Sequence, residues 1–162
     1  YLNAASNQAF IGNLSTNWIG GQTTWFTYAS DARVKNEVAE DVQGLDFIKL
    51  LRPVTYHLDI SAMSSITGNK ETEDYPGKYD VEKIKQSGFL AQEVAHAAIA
   101  SGYSFSGVTI PENDHELYTV SYAQFVVPLV KAVQEQQVMI DDLKKSNADL
   151  LVRLEALEKK IQ

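Results

Sequence analysis

Along the last stretch of the chain the apolar positions keep a single rhythm. Leu129, Val133, Gln136, Ile140, Leu143, Asn147, Leu150, Leu154, Leu157 and Ile161 follow one another at alternating spacings of four and three. On a helix such positions fall on one narrow stripe, and a stripe sustained over this length is the pattern of a coiled coil. Val133, Ile140, Asn147, Leu154 and Ile161 take the a positions, and Leu129, Gln136, Leu143, Leu150 and Leu157 take d. Arg153 at g and the following e residue, Glu158, are placed to pair between helices of a bundle. Asn147 at a is a register device, costing stability and excluding slipped alignments. The remaining chain has too little apolar surface to cover the stripe, so self-association is expected. The β-branched a residues with Leu at d lean toward two strands, so the pattern alone does not set a trimer. Ser121 followed by Gln124 matches a capping box at the helix start, and Pro128 marks a bend or the passage from globular packing to coil.

Upstream the periodicity changes repeatedly. Val34, Val38 and Val42, then Leu45, Ile48 and Leu51, recur at helical spacings, which predicts helices jointed at Gly44. After Pro53, Val54, Tyr56, Leu58 and Ile60 alternate as in a strand. Residues 61–86, with Gly68, Pro76 and Gly77 among many polar side chains, read as a long surface excursion. The run "SGFLAQEVAHAAIASG" is a short strand passing into an Ala-rich helix that Gly102 ends, and "ELYTVSY" is a further strand candidate. Residues 1–29 are poor in charge, with β-prone pieces at Phe10–Ile11 and Thr23–Tyr28 broken at Gly12 and Gly20–Gly21. They read as the end of a larger β-structure such as a fibre stalk. The expected fold class is therefore α+β: stalk strands over 1–29, a small globular core over 30–121 and a coiled-coil helix over 122–162. The chain begins at Tyr1 and shows no signal-like segment, so it is expected to be a piece of a longer protein.

Composition narrows the chemistry. A hydrophobic content of 44% and a charged content of 22% are those of a globular chain. The net charge of -7 argues against a nucleic-acid partner, which would need clustered Lys and Arg. With no cysteine there is no disulfide, thiolate nucleophile or cysteine zinc site. No apolar run approaches the roughly 20 residues that span a bilayer, so no membrane partner is expected. His57, His96 and His115 lack ligand spacing, and neither a phosphate loop nor a G-x-S-x-G elbow is present, so neither metal nor cofactor is expected. Asp141 and Asp142 occupy outer heptad positions, and "KETED" is a solvated loop.

What remains is "SDARVK", residues 30–35. Ser30 and Lys35 are about 140° apart on an ideal helix, so they cannot share a helical face. A serine on the preceding turn and a lysine early in a helix can still meet. A serine hydroxyl becomes a useful nucleophile when a base takes its proton, and a lysine serves when desolvation or neighbouring positive charge lowers its pKa. The purely structural reading makes Ser30 an N-cap, Asp31 a first-turn acid and Arg33 and Lys35 solvated charges.

"SDARVK", then "GLDFIKLLRPVTYHL", then "GFLAQEV", then "VSYAQFVVPLVKAVQEQ" running into the coil resembles the C-terminal intramolecular chaperone domain of endosialidases, phage tailspikes and tail fibres, to which an auto-processing domain of the myelin regulatory factor is related. The resemblance covers residues 30–162, and the family's S-D-x-R-x-K pattern is complete. It implies a homotrimer that helps the upstream fibre or tailspike region of the same chain to fold, then severs itself without a cofactor. Ser30 would be the nucleophile, Lys35 its general base and Ala29–Ser30 the scissile bond. Arg33 would help lower the lysine pKa, and Asp31 would orient Arg33 or cap the helix. Gln92 and Glu93 are candidates for inter-chain polar contacts. The implied location is a phage tail fibre or tailspike precursor assembled in the host cytoplasm, or else a bacterial surface fibre. Two other readings stay open: a trimerisation module that does not cut, and a coiled-coil adaptor, which explains only the C-terminal region.

Overall fold

The computed structural model describes residues 11–12, 16, 19–23, 30–68 and 75–161. The stalk strands expected at Phe10–Ile11 and Thr23–Tyr28 lie almost wholly outside the described residues. Among the described residues the elements are short except for the last, and the class is α+β as expected. The chain divides into two compact units, one containing residues 53–90, 110–118 and the N-terminal stretch through Glu40, the other residues 41–52, 91–109 and 119–162.

In the first unit β1 (Val54–Tyr56) pairs antiparallel with β2 (Gln86–Gly88), setting Val54 opposite Gly88 and Tyr56 opposite Gln86. The alternation read from the sequence holds here: Val54, Tyr56 and Leu58 are half-buried while Thr55 and His57 are exposed. Ile60 is buried but already starts a helix, α2 (Ile60–Thr67). The surface excursion expected over Ser61–Gln86 therefore needs correction, since it holds α2 and a 3-10 turn at Asp80–Lys83. Two cap residues make α2 possible in a Ser-rich segment. The Asp59 carboxylate accepts the Ala62 N–H at 2.7 Å, and Gly68 ends the helix with φ of 65°, which costs glycine nothing. Glu82 Oε1 also accepts the Ile60 N–H at 2.9 Å. His57 and His115 are used locally, their Nδ1 atoms lying 2.8 Å from the Glu82 carbonyl and 3.3 Å from the Ile66 carbonyl.

The helix expected through Val34, Val38 and Val42 does not form. Only a 3-10 turn at Ala32–Val34 is helical, and the chain is extended again at Lys35. Val34 and Val38 are exposed, so their helical spacing corresponds to no buried face. Glu37 adopts φ of 54°, which breaks any helix at that point.

The second unit is built on an aromatic core. Phe47, on α1 (Leu45–Ile48), is completely buried among Tyr103, Phe105 and Phe125, with ring centroids 5.3, 4.9 and 6.2 Å away. The first contact is edge-on and the second tilted, which suits the positive edges and negative faces of the rings, while Phe125 stacks on Phe47 with the ring planes 18° apart. α3 (Ala91–Ala100) buries Val94, Ala95, Ala97 and Ala98 and ends at Gly102, φ 66°. A two-residue ladder joins β3 (Val108–Thr109) to β4 (Thr119–Val120). A 3-10 turn at Tyr122–Phe125 then leads into α4 (Val126–Ile161), 36 residues long.

Ser121 makes no side-chain cap, so the capping box expected with Gln124 does not form. The tight 3-10 entry closes this end instead, with the Gln124 N–H donating to the Ser121 carbonyl at 3.2 Å. Pro128 lies in the first turn of α4, where its missing N–H is least felt, and is fully buried. α4 packs against α1 through its first turns, Ala132 being the last buried residue on it. Beyond that, the a and d side chains stand in solvent: Ile140, Leu143, Leu150 and Leu154 are 45%, 64%, 59% and 52% exposed. Glu93, a candidate for inter-chain contacts, is held within the chain by Arg52 at 2.5 Å, while Gln92 is exposed.

Candidate functional site

The 3-10 turn at Ala32–Val34 brings together what the sequence placed on opposite helical faces. It closes through two backbone bonds, from the Val34 N–H to the Asp31 carbonyl at 3.1 Å and from the Lys35 N–H to the Ala32 carbonyl at 3.2 Å. A 3-10 turn rises about 2 Å per residue against roughly 3.3 Å for extended chain, so the five-residue separation becomes short enough for a lysine side chain to bridge. Lys35 Nζ lies 3.1 Å from Ser30 Oγ and donates to it. Ser30 does not cap the turn, contrary to the structural reading.

Asp31 is the cap. Its Oδ1 accepts the Arg33 N–H at 2.8 Å, and its two oxygens take the Arg33 guanidinium, with Nε at 3.1 and 3.0 Å and Nη2 at 2.6 Å. The guanidinium hydrogen bond first, and the backbone bond second, hold the Asp31 carboxyl below its ordinary value, while Asp31 raises that of Arg33. Arg33, expected to bring positive charge to Lys35, thus already has its charge offset by Asp31. All four side chains are exposed in the single chain. Ala29, on the other side of the expected scissile bond, lies outside the described residues.

A hydroxyl in contact with an amine is the two-group arrangement that general-base activation of a serine requires. Among the described residues no group of three or more His, Cys, Asp or Glu is placed to hold a metal ion, and no helix is long and apolar enough to cross a membrane.

Residues 30–103 match the model of the peptidase S74 family, described as the chaperone of endosialidase. Over residues 30–103 the protein is similar to the chaperone of endosialidase. No curated protein and no solved structure matches the chain. The chaperone-of-endosialidase match opens on Ser30, the residue whose hydroxyl meets Lys35, and runs through α1, both strands of the first sheet and α3. The family is one of intramolecular chaperones acting on the fibre region upstream of them, and its peptidase activity is that of a self-cleaving serine enzyme.

One feature that sequence reasoning missed is Glu135, which sits at an outer heptad position and reaches the Leu45 N–H. Neither its spacing nor its neighbours signalled this, because the partner is a backbone group 90 positions away.

Proposed function

We propose that this chain trimerises and folds an upstream fibre or tailspike region and then releases itself by cutting the Ala29–Ser30 bond. The observation that carries the reading is the 3.1 Å contact between Lys35 Nζ and Ser30 Oγ at the first residue of the family match. Residues 1–29 are then the last part of the fibre, residues 30–121 the chaperone core and residues 122–162 the assembly helix.

For the contact to be productive it must run the other way, a neutral amine accepting the proton of the hydroxyl. Ser30 Oγ attacks the Ala29 carbonyl carbon through a five-membered ring, and the C–N bond to Ser30 breaks as the new C–O ester bond forms. Lys35 takes the hydroxyl proton and returns it to the departing Ser30 nitrogen. Water then opens the ester, leaving a carboxylate on Ala29 and restoring the Ser30 hydroxyl. A lysine serves as a general base where water is kept from it, and Lys35 is exposed in the single chain. Assembly must therefore cover it, which makes cutting a report of successful trimerisation.

The exposed a and d stripe of α4 supports assembly, and Asn147 fixes its register. Loss of the chaperone after assembly makes the fibre's stability kinetic, since an unfolded fibre no longer carries the part that aligned its chains. A phage tail fibre or tailspike fits this cycle. Ser30→Ala and Lys35→Ala each leave an assembled, uncut chain on this reading. Cutting at Ala29–Ser30 in either variant removes that residue's role.

A further inference from the structure

The Ser30–Lys35 contact depends on a three-residue turn with no buried side chain to hold it. Its stabilisation must come from polar contacts at its start. Asp31 provides these with both parts of its residue: its carbonyl accepts the Val34 N–H, and its Oδ1 accepts the Arg33 N–H. The second carboxylate oxygen is taken by the guanidinium of Arg33, which folds back over the same acid. No hydrogen bond or ion pair joins Asp31 to Ser30 or Lys35 among those the structure shows; its partner in every one of its side-chain bonds is Arg33.

We propose that Asp31 is a positioning residue for self-cleavage, acting as the side-chain cap that closes the Ala32–Val34 turn and so delivers Lys35 to Ser30. The inference rests on the self-cleavage reading and assigns to one atom, Asp31 Oδ1, the task of fixing the distance between nucleophile and base. The cap needs an acceptor oxygen and not a charge. Asn at this position keeps an acceptor in the same place, whereas Ala removes it. The bond from Asp31 to the Arg33 guanidinium orients the carboxylate but is secondary, because losing Arg33's side chain leaves its backbone N–H in place to be capped.

The test compares full-length parent, Asp31→Ala, Asp31→Asn and Arg33→Ala with two readouts. The first is the rate of cutting by intact mass at neutral pH. The second is the nuclear Overhauser contact between the Lys35 ε-methylene and Ser30 β-methylene protons, collected in chains held uncut by low temperature or, for a parent that does not cut, directly. Asp31→Ala is expected to slow cutting about tenfold, the size expected for loss of an ordinary capping bond, and to lose the contact. Asp31→Asn is expected to restore the contact and to cut within about threefold of parent, a rescue that the cap's need for an acceptor alone predicts. Equal rates and an intact contact in Asp31→Ala overturn the proposal, as does an Asp31→Asn chain as impaired as the alanine variant. A parent that never cuts defeats the cleavage reading, while the proton contact still decides whether Asp31 holds Lys35 against Ser30.

Discussion

The Glu135 carboxylate accepts the backbone N–H of Leu45 at 2.7 Å, joining the long helix α4 to the free start of α1. The contact requires Gly44. A side chain there would run into the Glu135 carboxylate and come within 2.9 Å of the Ala132 backbone nitrogen. The close approach of α4 is thus a sufficient reason for glycine at this position.

Gly44→Ala is accordingly expected to destabilise the second unit by about 1–3 kcal/mol through overpacking. Glu135→Ala should cost about 1.5–3 kcal/mol, the range for a hydrogen bond to a charged group whose partner is left half-buried. Urea unfolding of both in the uncut Ser30→Ala background, at one chain concentration, checks this. Midpoints equal to that of the background chain would show that α4 is not fastened to α1 by this bond.

The seam of α4 gives a second prediction. Ile140 and Leu154 occupy a positions and are 45% and 52% exposed in the single chain, so nothing within the described chain covers them. Replacing both by Asp is expected to abolish association and, under the proposed cycle in which assembly covers Lys35, to abolish cutting with it. Sedimentation equilibrium and intact mass on the same sample read the two consequences. A monomeric variant that cuts at the parent rate would separate cleavage from assembly.

Asp31 supplies a pH prediction whose sign is fixed by its lowered carboxyl pKa. A carboxylate held below its ordinary value in the folded chain stabilises the turn above the unfolded value, and that contribution is lost as pH falls through the lowered folded value. The turn should thus be indifferent to pH from neutrality down to the ordinary carboxylate range and below it lose the charge-assisted bonds to the Arg33 guanidinium, while the protonated carboxyl keeps an acceptor oxygen for the cap. Carbon NMR titration of the Asp31 carboxyl is expected to give a midpoint below the usual range in the parent and a higher one in Arg33→Ala, which removes the largest cause. Identical midpoints in the two chains would contradict the pairing.

The sequence was most legible where one physical signal repeats. α4 follows from a heptad that no other structure would use, and α3 from an apolar run ended by Gly102. α2 was missed because its serines suggested a loop, although Asp59 and Gly68 stood at its two ends as cap signals. The valines at 34, 38 and 42 misled in the opposite direction, since spacing alone cannot tell whether a face is buried, and Val34 and Val38 are not. At the candidate site the motif named Ser30 and Lys35, but helical geometry argued against their meeting. A 3-10 turn, which three residues of sequence do not announce, reconciles the two.

The most direct test of self-cleavage is intact-mass measurement under denaturing conditions on freshly folded full-length chain, beside its Ser30→Ala variant. The account predicts two fragments divided at Ala29–Ser30 in the parent and one full-length mass in the variant. A single full-length mass in both would contradict it and leave "SDARVK" as a capped turn at the start of a trimerisation module.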